Sequence, residues 1–151
     1  MFFVVYFYRI GNFFHRLGLP IIGKFISLIN RFLFSTWLPS SATIGKNFTL
    51  GYGGLGTVIH INCVIGNNVS ISQNVTIGRN IGERKVPIIG DDVYIGAGSI
   101  IFGEIEIGNN VIIGSNSLVN KSIPDNCTVV GNPMRIIEKD RTLKYYELDI
   151  K

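Results

Sequence analysis

The chain has 151 residues, a formal net charge of +4 and 46% hydrophobic residues, enough for one domain with its own core. No charge-free apolar run reaches about 18 residues, which argues against a transmembrane span. The basic residues have no recognition motif beside them, which argues against nucleic-acid binding.

Residues 1–38 form a distinct helical segment. They hold eleven aromatic residues with Arg9, Arg16, Lys24 and Arg31 spaced among them, and residues 1–82 carry no Asp or Glu at all. Phe3, Phe7, Ile10, Phe14 and Leu17 follow helical spacing, as do Ile22, Phe25, Ile29 and Phe32. Gly18, Leu19 and Pro20 separate the two predicted helices, and Pro39 closes the second. Arg9 interrupts anything like a signal-peptide core. Two readings stay open: a helical pair packed on the following residues and on neighbouring subunits, or basic aromatic helices in peripheral contact with an anionic membrane.

Residues 41–137 keep a six-residue period. It starts at Ile44 and Leu50, is delayed by three residues in a Gly-rich bulge that contains Tyr52, Gly53, Gly54, Leu55 and Gly56, and runs on through Ile59, Ile65, Ile71 and Ile77. The polar stretch 79–87 intervenes and reads as a loop replacing one side of a coil, where such a solenoid usually puts function. The aliphatic series then resumes at Ile89, twelve residues after Ile77 and so in phase, and runs through Ile95, Ile101, Ile107, Ile113 and Val119. A Gly usually follows the aliphatic residue, and a small or β-branched residue stands four after it; Cys63 takes that small position. Residues 138–151 are a charged tail, with a short helix predicted over 138–147.

A fixed period of six is the mark of a parallel β-helix. Six residues make a short strand and a corner, and Gly at the corner supplies backbone freedom. Three sides close one coil of about eighteen residues, and each aliphatic residue stacks on its own kind about 4.8 Å away. A helix would need apolar residues three and four apart instead. The fold class is therefore mainly β: a β-helix over 41–137 behind an N-terminal helical segment. Cys63 and Cys127 lack metal-ligand spacing and read as reduced thiols of a cytoplasmic protein.

The run Val69–Gly78, the run Ile95–Gly98 and the run Val130–Pro133 resemble the serine acetyltransferase branch of the hexapeptide-repeat acyltransferases and its sugar O-acetyltransferase relatives. The resemblance covers roughly residues 8 to 137. It implies left-handed coils, acetyl-coenzyme A as donor, and a homotrimer with sites between subunits. It also implies that Arg79, Ala97 and Ser115 line the coenzyme groove.

Acetyl transfer to a hydroxyl needs a general base and donors for the oxyanion. His15 and His60 are the two histidines, and His15 sits in the aromatic helical segment. His60 takes a corner slot where Gly stands at 66, 78, 90, 96, 108 and 114. Counted in eighteens, His60 stacks with Gly78, Gly96 and Gly114, beside a column of Ile61, Arg79, Ala97 and Ser115. Three coil steps span about 14 Å, roughly an extended pantetheine arm. His60 is the predicted base, and backbone N–H groups near Gly78 or Gly96 are candidate oxyanion donors. Tyr52, Gln73 and Asn74 are candidates for acceptor binding, and Arg135, Lys121, Arg84 and Lys85 for the coenzyme phosphates.

Departures from the resemblance bear on the acceptor. The serine acetyltransferase branch carries an Asp-His pair at the positions matching Tyr52 and Gly53, and a further His at the position matching Val86. Those groups are missing here, so the expected acceptor is a sugar or glycan hydroxyl in surface-polysaccharide assembly. Serine O-acetylation is the alternative, and a non-catalytic trimeric scaffold or coenzyme-binding module is the third reading. No metal is expected, since a metal-bearing version needs several His ligands.

Overall fold

The computed structural model describes residues 3–148. Two helices, α1 (Phe3–Arg16) and α2 (Pro20–Phe34), precede a three-sided parallel β-helix. Its first face stacks Thr43–Ile44, Val64–Ile65, Ile88–Ile89 and Glu106–Ile107. The second stacks Thr49–Leu50, Ser70–Ile71, Tyr94–Ile95, Ile112–Ile113 and Thr128–Val130. Arg135–Glu138 closes that face as an antiparallel edge strand. The third stacks Val58–Ile59, Thr76–Gly78, Ile100–Phe102 and Leu118–Val119.

The hexad aliphatics make the core. Ile59, Ile71, Ile95, Ile101 and Ile113 have no exposed surface, and Val69, Val75, Val93 and Val111 fill the four-after positions equally deeply. Each buried Ile contributes roughly 1.5–3 kcal/mol of transfer free energy. Ile95→Ala, in the middle of the second face between Ile71 and Ile113, should cost about 2–5 kcal/mol. A lowered urea midpoint with an unchanged slope checks it.

The glycines after the aliphatic residues have a different reason from the expected one. Gly45, Gly66, Gly90, Gly96 and Gly108 are not at positive φ. A Cβ on Gly66 would lie 2.6 Å from the Gly90 carbonyl oxygen, and one on Gly96 would lie 2.5 Å from the Ser115 nitrogen. Close approach between coils excludes a side chain there. The left-handed turn falls two residues later, on Asn47, Asn68, Asp92, Asn110 and Asn126 at the first corner. Asn and Asp tolerate that conformation, and here they ladder: Asn47 Nδ2 donates to Asn68 Oδ1, and Asn68 Nδ2 to Asp92 Oδ1, both at 2.9 Å.

The tail departs from the predicted helix over 138–147. It forms the edge strand and a single 3-10 turn, Tyr145–Glu147, because its polar groups are spent on the ladder. Asn110 Nδ2 donates to the Arg141 carbonyl at 3.1 Å, Lys144 pairs with Asp92 at 2.6 Å, and the Tyr145 hydroxyl donates to the Asn68 carbonyl at 3.1 Å. The tail thus straps successive coils together along one edge.

At the other end, α1 and α2 cover the open mouth of the first coil. The Tyr8 hydroxyl donates to the Ala42 carbonyl at 2.7 Å, and burial pushes it up to about 12. Arg9 donates to the Ile44 and Gly45 carbonyls. Helix α2 stops at Phe34, with Ser35 in the left-handed conformation, before Pro39 is reached.

Candidate active site

Strand register decides which residues share a corner. Ile59 pairs with Ile77, eighteen residues on, but Ile77 pairs with Ile101, twenty-four on. The stretch 79–87 is therefore one enlarged corner and not a lost side, and six of its residues project out of the coil. The column expected from counting in eighteens does not form. His60 stacks under Gly78, its N–H donating to the Ile77 carbonyl at 2.9 Å, and Gly78 lies beside Phe102. Gly96 and Gly114 stand a full side away, at the second corner.

The predicted residues accordingly divide between two edges. The third corner holds His60, Gly78, Arg79 and the projecting loop. The second holds the Tyr52 loop and a column of Gln73, Ala97 and Ser115: Gly98 N–H donates to the Gln73 carbonyl at 3.1 Å, and Asn116 N–H to the Ala97 carbonyl at 2.8 Å. Arg79 is thus separated from Ala97 and Ser115. Arg135 begins the edge strand, opposite Val130, and is exposed. Asn74 has φ 58° and is a left-handed corner residue, which accounts for its identity without a substrate.

His60 is half-buried. Its Nδ1 accepts the Asn62 N–H at 3.2 Å, which assigns the neutral ring's proton to Nε2. Desolvation first, and the Arg79 guanidinium second, hold the imidazole below its ordinary 6.5, so it is neutral at pH 7. Above it, Gly78 has no partner for a side chain. A Cβ built there meets nothing within 4 Å, and its φ is not positive. Nothing inside the chain requires Gly at 78. Sequence reasoning found His60 as an exception to the Gly column, but the corner's openness depends on the loop's projection, which spacing did not show.

The loop folds back at its end. A Glu83 carboxylate oxygen accepts the Glu104 N–H at 2.7 Å, Lys85 pairs with Glu104, and Val86 is buried. Its tip residue Ile81 is 98% exposed. At the second corner, Tyr52 (φ 50°) is 81% exposed on a tight turn, Gly51–Gly54, with Tyr52 and Gly53 both left-handed, held from beneath by the Thr36 hydroxyl, 2.8 Å from the Gly54 carbonyl. Gly53 is buried.

Among the described residues no group of three or more His, Cys, Asp or Glu could hold a metal ion. Both thiols are free, and burial pushes Cys63 up to about 12, so it is an inert core residue. An apolar cavity of about 520 Å³ lies where the helices meet the first coil, bordered by His15, Lys24, Trp37 and Ile61. His15 belongs to that cavity and not to the corner of His60.

Arg79→Gln should raise the pH at which the His60 ring titrates, followed by its ring-proton NMR signals. Removing the guanidinium removes one of the two causes that lower it, and the titration moves to higher pH. An unmoved titration would detach Arg79 from His60.

Residues 87–121 match the family model described as bacterial transferase hexapeptide (six repeats). A serine acetyltransferase of Bacillus pumilus is 36% identical over 132 residues, covering 86% of this chain and 60% of its own length. One from Staphylococcus aureus is 43% identical over 122 residues, covering 80% and 57%. A crystal structure of serine acetyltransferase from Brucella abortus superposes with TM-score 0.86 at 31% identity, covering 93% of this chain and 57% of that one. The same enzyme in complex with coenzyme A gives 0.85 at 31%, covering 91% and 56%. The chain thus spans under two thirds of the length of these relatives. Residues 87–121 carry the bacterial transferase hexapeptide repeat, and the hexad register and parallel coils extend the likeness to serine acetyltransferases over most of the chain.

Proposed function

We propose that the chain is an acetyl-coenzyme A-dependent O-acetyltransferase working in the cytoplasm, with His60 as its catalytic base and L-serine as first acceptor. The observation that carries it is the pairing of a neutral, half-buried His60 with a Gly78 that no contact within the chain explains. A glycine without an internal reason marks where a ligand approaches the backbone closely. The thioester end of the pantetheine arm is assigned there. L-Serine comes first because the relatives are serine acetyltransferases, which weighs against the glycan acceptor expected from residues alone.

In the reaction, His60 takes the proton of the acceptor hydroxyl as its oxygen bonds to the thioester carbonyl carbon. The tetrahedral oxyanion collapses, the carbon–sulfur bond breaks, and the coenzyme thiolate takes the proton back from the imidazolium. Only Nδ1 of the neutral ring can accept a proton, so the 3.2 Å contact with the Asn62 amide opens as the acceptor enters. The Gly78 N–H is spent in the ladder where Gly78 pairs with Phe102, and the Gly96 N–H donates to the Ile113 carbonyl at 2.7 Å, so neither expected backbone donor is the oxyanion donor.

The rest of the groove belongs to a neighbouring subunit in this reading. Gln73, Ala97 and Ser115 lie one side of the prism away from His60, too far round the same coil to share a substrate with it. A homotrimer that sets the third corner of one subunit against the second corner of the next would join them, with Tyr52 and Arg135 on the same edge.

One observation favours a sugar hydroxyl as a second reading. Where the resemblance places an Asp-His pair and a further histidine, this chain has an exposed Tyr52, a buried Gly53 and a buried Val86. An aromatic ring at the mouth suits a sugar face better than a small amino acid. Thiol release from acetyl-coenzyme A decides between them, measured with L-serine against sugars and nucleotide-sugars. Saturable turnover with serine alone supports the first reading, and turnover with a sugar alone supports the second. Coenzyme binding without turnover on any acceptor would leave the scaffold reading standing.

A further inference from the structure

The helical pair is built inside out. Its buried residues are Val4, Tyr8, Gly11, Gly23, Ile26, Ser27 and Asn30, of which all but Val4 and Ile26 are small or hydrogen-bonding groups. Gly23 meets the Gly11 carbonyl, the Ser27 and Ser40 hydroxyls bond at 2.9 Å, and Asn30 donates to the Val4 carbonyl at 3.1 Å. The large apolar side chains point the other way. Tyr6, Phe13, Leu17, Ile21, Phe25 and Phe32 are all exposed, Ile21 and Phe32 by more than 80%.

Cations flank this outer face in register. Tyr6 and Phe13 are seven apart, as are Phe25 and Phe32. Lys24 and Arg31 repeat the same seven-residue step, one position round the helix from Phe25 and Phe32. Seven residues are close to two helical turns, so an aromatic line runs along α2 with a cationic line about 100° round from it. Arg16, Lys24 and Arg31 are exposed, Lys24 at the rim of the cavity between helices and first coil and Arg31 over the edge of that face at 5.6 Å from the Trp37 ring centroid, whereas Arg9 is committed to the first coil. No carboxylate occurs anywhere in residues 1–82.

We propose that the outer face of α1 and α2 docks on an anionic phospholipid surface, lying in its plane with the aromatic line at acyl depth and the cations among the headgroups. Helices of 14 and 15 residues are about 21–23 Å long, short of the ~30 Å hydrocarbon core, and no described helix is long and apolar enough to cross a membrane. Small residues within the helical pair and large apolar ones outside it are the arrangement of helices packed in lipid. Two-fold pairing of this face with itself is disfavoured, because residues 1–82 hold no acid to meet Arg16, Lys24 and Arg31.

The test is co-sedimentation of the full chain with phosphatidylcholine vesicles, with and without about a quarter phosphatidylglycerol, at low salt and at about 0.5 M salt. Anionic vesicles should pellet the protein, with binding about tenfold weaker or more on neutral vesicles or at high salt. Phe25→Glu with Phe32→Glu should abolish binding, and Lys24→Gln with Arg31→Gln should weaken it by about tenfold or more, with melting temperature and solution mass unchanged. Wild-type protein that stays in the supernatant with anionic vesicles overturns the proposal without any variant. So does a drop in the mass of the aromatic variant while vesicle binding persists, which would make the face a contact between copies.

Discussion

His60→Ala should lower kcat for acetyl transfer by about a hundred- to ten-thousandfold, the range for a positioned general base. Thermal stability should scarcely change. The ring is half-buried and makes one long contact, with the Asn62 amide, so its removal opens no core cavity. Coenzyme affinity should also hold, because the groove floor at Gly78 is backbone. The measurement is kcat and KM for acetyl-coenzyme A from thiol release, with a melting curve on the same preparation. A variant that keeps wild-type kcat would end the assignment of His60.

Two further substitutions separate chemistry from positioning. His60→Asn keeps an oxygen near Nδ1 that can accept the Asn62 N–H, and His60→Gln keeps an amide near Nε2 that can donate. A base is replaced by neither, so both should match alanine in kcat. If His60 instead polarised the thioester carbonyl through Nε2–H, glutamine would recover activity and asparagine would not. The acid limb of the pH profile would then flatten in glutamine as well, since no group there titrates near neutrality.

The β-helix was legible because one physical demand repeats: a prism core needs an aliphatic residue at every sixth position, and Ile59 through Val119 supply it. The helices were legible for a similar reason, but their orientation was not. Phe3, Leu17, Ile22, Phe25 and Phe32 form the apolar pattern that reads as a core-facing stripe, yet they are exposed. The contact with the first coil is made by Tyr8, Arg9 and Asn12, because the mouth of a β-helix presents unpaired backbone carbonyls, which these side chains find at Ala42, Ile44 and Gly45. Hydrogen-bonding and small residues answer that demand better than Phe does. Periodicity detects amphipathicity without saying which face is inside.

The candidate site was half legible. His60 stood out as a side chain in a Gly column, and the structure leaves it at an open corner. The groove was misassembled because a twelve-residue interval is ambiguous between one extra side and one swollen corner. Spacing is the same in either case. Strand register alone distinguishes them, through Ile77 pairing with Ile101, and it moves Ala97 and Ser115 to another edge of the prism.

That register gives the second large expectation, a contrast between two glycines that look alike in sequence. Gly90→Ala should destabilise the fold by about 2 kcal/mol or more, since overpacked interiors respond with backbone shifts; its Cβ would sit 2.8–2.9 Å from Asn109 and Gly108. Gly78→Val should leave the melting temperature near wild type, because a Cβ at 78 enters open space and the backbone there is ordinary extended strand. The same Val would fill the volume assigned to the pantetheine arm beside His60. KM for acetyl-coenzyme A should then rise by about a hundredfold or kcat/KM fall by as much, as expected when a close backbone approach is blocked. Two measurements on each variant, a melting curve and thiol release, are sufficient. Wild-type turnover in Gly78→Val would mean that the arm does not pass this corner, and the open space above His60 would then be explained by subunit packing instead.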